Sequence, residues 1–191
     1  VKLRDFIGTF GFHLGGGDAP KAQDYAKLLE KIGQRPDRQL LQTVMLRSLR
    51  HSAETIDAVR CSILLVEQKE KEQELGEEGR AFVVAANDDR KLKMMPMDLT
   101  KYPEVQAAIR RKRAVIIEDV EKSEMMRPVV NELRRLHFRS LLVLPILYQE
   151  TVIGTLFLRA SRKRSFTEQE LKFCRVVASA AASAIKNSML Y

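Results

Sequence analysis

The sequence predicts an α+β domain: a central antiparallel sheet of about five to six strands covered by helices on both faces. Three observations carry that prediction. The first is the stretch Ser140 to Ala160, where two apolar, β-branched-rich runs flank the polar tip Gln149-Glu150-Thr151, the pattern of a β-hairpin. Leu141 to Leu147 is nearly continuous apolar, so both faces of that strand are expected to be covered. Gly154 falls in mid-strand, where close approach of another chain segment is expected. The second observation is element order, read as helix, two strands, helix, strand, helix, two strands, helix. The third is a helix start at Thr167, with Glu170 completing a capping box and Phe166 placed to staple against Leu171.

Taken in order, residues 1 to 17 carry Phe6, Ile7, Phe10 and Phe12 and end in Gly15-Gly16-Gly17, a flexible joint that matches no phosphate-binding pattern. A helix is predicted from Asp18 and Pro20 to Gly33, and a second from Pro36-Asp37 to about Ile56, with Leu41, Met45, Leu49 and Ser52 on one face. Arg60 to Glu67 reads as the first strand and Ala81 to Ala86 as the second, with a charged hairpin loop, Gln68 to Arg80, between them. Lys91 to Thr100 reads as a loop. A helix is predicted from Tyr102-Pro103, proline suiting the first turn, to the basic run Arg110 to Arg113 at the C-terminal end of the dipole. Val115 to Val120 is the third strand. A short helix capped by Asp119 or Ser123 follows, with Met126, Val129, Val130, Leu133 and Leu136 as its apolar stripe. After the hairpin, the last helix repeats Leu171, Cys174, Ala178, Ala181 and Ile185 at heptad spacing with small residues. That stripe suits either packing on the domain's own sheet or close pairing with a second terminal helix, and pairing is the expectation.

Composition bounds the function. At 191 residues and 45% apolar content the chain has length for one domain with a packed core and for an appendage. No run approaches the ~18 apolar residues of a membrane span, and a signal-peptide pattern is missing at the start. Cys61 and Cys174 each lie in apolar runs and read as reduced core residues, so a cytoplasmic location is expected. The net charge is +8, with basic clusters at Arg110 to Arg113, Arg134-Arg135 and Arg159 to Arg164. Without interleaved aromatics these read as solvated faces, and nucleic-acid binding ranks last.

The chain from about Leu40 to Tyr191, about four-fifths of its length, resembles a GAF domain, the small-molecule sensor module of bacterial signalling proteins. The resemblance rests on the order and spacing of several stretches. These are Asp98-Leu99-Thr100-Lys101-Tyr102-Pro103-Glu104, Val115-Ile116-Ile117-Glu118-Asp119-Val120, Pro145-Ile146 ahead of Val152-Ile153-Gly154-Thr155-Leu156, and Phe166-Thr167-Glu168 leading to Ala184-Ile185-Lys186-Asn187 and Leu190-Tyr191. It implies a GAF/PAS-like sheet of strand order 2-1-5-4-3 or 2-1-5-6-4-3. First and last helices would pack on one face, and any ligand pocket would lie on the other. It further implies an organisation in which residues 1–35 link to an upstream module and residues 36–191 form the GAF domain, ending in a signalling helix that feeds an output domain.

Chemistry within this frame is sparse. His13, His51 and His137 are scattered, and no His-Glu-x-x-His, Cys-x-x-Cys or Gly-x-Ser-x-Gly occurs. Glu118 and Asp119 point to opposite faces of a strand and cannot act as a dyad. The catalytic, bilin-binding and cyclic-nucleotide-binding members of the family need cysteines or motifs that are missing here, and His137 alone leaves a haem site little support. The domain is therefore expected to be non-catalytic, with no cofactor named. Met94, Met95, Met97, Met125 and Met126 bracket the expected pocket, which suits an adaptable apolar site or simple gap-filling. The candidate ligand-contacting residues are Met94, Met97, Tyr102, Ile117, Met126 and Phe157, and the candidate dimer helix carries Leu171, Cys174, Ala178, Ala181 and Ile185. Expected partners are a second copy through terminal helices, a small molecule, and signalling domains upstream and downstream.

Overall fold

A computed structural model describes residues 50, 53–54, 56–66, 80–87 and 95–190. Six strands form one antiparallel sheet: β1 (Arg60–Val66), β2 (Arg80–Ala86), β3 (Met95–Asp98), β4 (Val115–Ile117), β5 (Ser140–Tyr148) and β6 (Thr151–Ala160), in the order β3-β2-β1-β6-β5-β4. Helix α1 (Pro103–Arg111) precedes β4, α2 (Val130–Arg135) precedes β5, and α3 (Glu168–Leu190) closes the chain.

The opening hairpin forms as its sequence predicts, with a tighter tip. Tyr148 pairs with Thr151, so the loop is Gln149-Glu150 alone, both residues in the left-handed region at φ 45° and 65°. That is the mirror-image turn whose twist matches two flanking strands. β6 then lies between β1 and β5 at the middle of the sheet. Gly154 pairs with Leu65 on one side and Ile146 on the other. A Cβ there would overlap the Leu64 carbonyl oxygen and stand 3.3 Å from its carbonyl carbon. Glycine is required because the β1 backbone occupies the space.

Strand alternation divides the core in two. Leu64, Val66, Leu141, Val143 and Phe157 point to the face covered by α1, α2 and the turns before them. Cys61, Ile63, Leu142, Leu144, Leu156 and Leu158 point to the face covered by α3, with Ala53 and Ile56 beside it. The capping box at α3 is formed: Thr167 Oγ1 accepts from Glu170 N–H at 3.2 Å and Glu170 Oε2 accepts from Thr167 N–H at 2.8 Å. Phe166 and Leu171 are buried in the same cluster, as a hydrophobic staple requires. Arg164 ties this corner down, donating to the Ile56 carbonyl and to Glu170 while its guanidinium lies 4.9 Å from the Phe166 ring.

The structure differs from the sequence reading at three places. Met95–Asp98, read as loop, is an edge strand on β2. Pro96 disguised it, and a proline is tolerated on an edge strand because its missing N–H is not needed there. The third predicted strand stops at Ile117, and Asp119 instead accepts from Glu121 N–H in a turn. The helix predicted after it splits into a 3-10 turn, Glu124–Val129, and α2, because Pro128 cannot donate within a continuous α-helix. Of the implied strand orders, 2-1-5-4-3 is present, with the extra strand outside its first member. The helices predicted before residue 50, Met94 and the 68–79 loop lie outside the described residues.

Candidate functional site

α1 begins at Pro103 in its first turn and ends at Lys112, which takes a left-handed conformation at φ 51°. Its buried face, Val105, Ala107, Ala108 and Ile109, lies on the sheet, while Arg110, Arg111 and Arg113 are exposed. Met97, Tyr102, Ile117, Met126 and Phe157 all belong to the one apolar cluster under α1 and α2. Ile117 and Phe157 both face inward, and Ile116 is the exposed neighbour of Ile117. These side chains are brought together, and Met126 and Phe157 are fully enclosed.

A polar group on the same face escaped the sequence reading. Arg60 and Ser62 on β1, and Thr155 and Arg159 on β6, alternate with the residues of the α3 side and so share the face of Leu64 and Phe157. Arg60 pairs directly with Arg159, Ser62 with Phe157, and Leu64 with Thr155. Arg159 had been grouped with a solvated basic cluster, but both arginines are only 2% exposed. The guanidinium of Arg159 lies 3.7 Å from the Phe157 ring centroid and 5.6 Å from that of Phe138. Tyr102 and Glu104, at the start of α1, are buried against them, and both feel the Arg159 charge. Once Phe157 is assigned inward, alternation alone places Arg159 and Thr155 inward too. That was the signal available in the sequence.

Electrostatics follow from this enclosure. Burial pushes the Glu104 carboxyl up from 4.5 to about 7, against the opposing pull of its own backbone N–H and of Arg159. Burial also drives the Tyr102 phenol well above its ordinary range, with Arg159 opposing. Because the folded carboxyl holds its proton to higher pH than the unfolded one, this group favours the fold most below pH 4.5, and stability falls as pH rises to about 7. The span is worth about 3 kcal/mol. Glu104→Gln is expected to flatten that fall, which urea midpoints measured across pH 5 to 8 will show. An unchanged pH slope would mean that Glu104 ionises freely.

The two cysteines lie on the opposite face. Burial pushes the Cys61 thiol far above its ordinary range, with Cys174 adding to the rise, and pushes Cys174 up to about 12, with Glu170 adding. Both are free thiols with essentially no exposure. Neither is expected to react with a thiol reagent at pH 8 until urea is added, when two equivalents should appear.

Leu171, Cys174, Ala178, Ala181 and Ile185 are buried against their own sheet with Leu142, Leu144 and Leu156. This heptad stripe is therefore committed to the domain's core. The opposite side of α3 carries Lys172, Arg175, Val176, Ser179 and Ala180, with Val176 68% exposed. A shallow cleft beside Ile56 and Glu170 is lined by Arg162, Lys163 and Arg164, but these meet Asp57, Asp119 and Glu170 respectively. Among the described residues no group of three His, Cys, Asp or Glu side chains is arranged to hold a metal ion, and no helix is long and apolar enough to cross a membrane.

Comparison with known proteins agrees with this architecture. The sequence model of the GAF domain matches residues 39–186, and the chain belongs to that family. Similar solved structures include the GAF domain of an Acinetobacter phosphoenolpyruvate-protein phosphotransferase. It has TM-score 0.61 and 16% identity, covering 91% of this chain and 98% of that one. A domain of a putative two-component sensor histidine kinase from Sinorhizobium meliloti is also similar, with TM-score 0.53 and 17% identity, covering 76% and 90%. At these identities the likeness is one of fold. A short stretch also matches ribonuclease R of Vibrio cholerae, 46% identical over 55 residues, or 29% of this chain. The chain spans about 7% of that enzyme's length.

Proposed function

We propose that this domain is a non-catalytic sensory module of a bacterial signal-transduction protein of the two-component type, working in the cytoplasm. A small molecule, or a partner segment, seats under α1 and the turn before α2. Its binding favours one placement of those helices, and the sheet passes that bias to α3 and so to an attached output domain. Such a relay works only if the ligand prefers one arrangement over the other. The observation that carries this reading is the buried polar group of Arg60, Ser62, Glu104, Thr155 and Arg159, set among the side chains of an otherwise apolar face. Polar groups are costly to bury in a domain that needs only a core. Family membership and the likeness to a sensor-kinase domain support the signalling role. A homodimer would use the outer side of α3, around Val176, because the heptad stripe is occupied.

A second reading, a ligand-free dimerisation module, has its own support: Met97, Met126 and Phe157 are buried and fill the face themselves. A thermal-shift panel of nucleotides, amino acids, small acids and fatty acids separates the two. Hydrogen exchange of α3 is then followed for each stabilising compound. The sensory reading expects a compound that raises the melting midpoint and changes exchange in α3. A panel without effect favours the dimerisation module, and stabilisation with unchanged α3 exchange contradicts the relay.

A further inference from the structure

We infer that the C-terminal end of α1 docks an acidic segment of a partner protein, its carboxylates meeting Arg110, Arg111, Lys112 and Arg113 while an apolar side chain beside them rests on Ile116. This surface lies outside the enclosed apolar face, and it stands whether or not that face takes a ligand. Four cations follow one another here within roughly 11 Å of backbone, and all four side chains are exposed. Among the described residues none of the four makes an ion pair. The other basic stretches are answered where they stand. Arg162, Lys163 and Arg164 meet Asp57, Asp119 and Glu170, Arg134 and Arg139 share Glu121, and Arg127 meets Glu124. At the end of α1 no such answer is at hand. Together α1, β4 and β5 hold a single acidic side chain, Glu104, which is buried in the first turn at the other end of the helix. A cation or two suits a helix C-terminus, where the dipole is negative. Four consecutive like charges exceed that need and repel one another, and an anionic partner removes the repulsion.

The backbone beneath these charges is held in place. Lys112 takes its left-handed conformation at φ 51° and donates its N–H to the Ile109 carbonyl, and Val115 is already paired with Val143. A partner that meets charges on a fixed corner loses less order on binding. Ile116, three residues beyond Arg113, is 39% exposed between the buried Val115 and Ile117. It gives the basic corner an apolar neighbour, which suits a protein segment and adds nothing to phosphate binding. From Pro103 to Ile117 there is no aromatic ring on which a base could stack. Arginine forks pair bidentately with carboxylates. β4 covers only Leu141 to Val143 of β5, and Pro145 denies the rest of that strand a main-chain donor. Side chains rather than strand addition therefore carry the recognition.

The test is fluorescence anisotropy of the whole chain with a labelled peptide, Glu-Glu-Asp-Leu-Glu-Glu-Asp, and with a short labelled DNA duplex. Saturable peptide binding that weakens with added salt is expected. Arg111→Glu with Arg113→Glu should weaken it about tenfold, two exposed ion pairs having given way to repulsion. Lys172→Glu with Arg175→Glu makes the same change in net charge on the outer side of α3. Because distant exposed charges are screened, it should alter binding by less than about twofold. If the α1 reversal unfolds the chain, Arg111→Gln with Arg113→Gln keeps the test and should weaken the peptide about threefold. Ile116→Ser should weaken this peptide and leave unchanged one with serine in place of leucine. Equal effects on both peptides would overturn the part given to Ile116. No peptide binding, no loss in the α1 variants, or equal losses in the α1 and α3 reversals overturns the inference. So does a duplex that binds more tightly than the peptide and is lost in the α1 reversal, which would make this a nucleic-acid surface. Peptide binding that appears only after the glutamates among residues 67–78 are changed to glutamine would assign the corner to the chain's own acidic run, and overturns it likewise.

Discussion

Gly154→Ala is expected to cost more than about 3 kcal/mol, the upper end for overpacking, and to leave the domain partly unfolded at room temperature. The added methyl meets backbone, since the Leu64 carbonyl oxygen stands where the Cβ would go. A flexible side chain could turn aside, but a strand backbone can yield only by parting β1 from β6. That pair holds the centre of the sheet, from Arg60↔Arg159 to Leu65↔Gly154. Domains of this size are stable by about 5–15 kcal/mol in total, so the loss is a large fraction of the whole. Urea denaturation followed by circular dichroism measures it directly. A midpoint equal to wild type would mean that β1 does not approach β6 as described.

Phe157→Ala is expected to destabilise by about 3–5 kcal/mol, the range for truncating an enclosed aromatic. The ring is fully buried at the middle of the pocket face. It also lies against the Arg159 guanidinium, a desolvated cation–π contact worth about 2 kcal/mol. Phe157→Leu keeps most of the volume and loses the ring face, so it should cost less, about the 2 kcal/mol of the cation–π contact. Urea midpoints of the two variants separate packing from the cation–π contact. Equal losses would show that the ring face, rather than its bulk, is what matters.

The parts of this fold legible in the sequence are those governed by local rules. The hairpin follows from two apolar runs about a polar tip, the α3 start from Thr167 and Glu170, and the close approach at Gly154 from a glycine in mid-strand. Where two rules compete, the reading failed. Pro96 argues against a strand until the strand is known to be an edge, and Pro128 divides a segment whose apolar spacing alone suggests one helix. The site divides in the same way. Tyr102, Ile117, Met126 and Phe157 were accessible through apolar spacing and strand parity. Arg60 and Glu104 were not, because charge argues for solvent, and the residues enclosing them come from β1, β6 and α1, far apart in sequence; Arg159 was accessible only through the parity of Phe157, against the same argument from charge. For the α3 stripe, spacing identified a buried face without saying what buries it; the domain's own sheet does.

Native mass spectrometry of the chain, purified without denaturants and sprayed from a volatile buffer, tests the central claim most directly. The account predicts one small molecule bound per chain and released on unfolding. The bare chain mass from wild-type protein, unchanged after incubation with each compound of the thermal-shift panel, would contradict it.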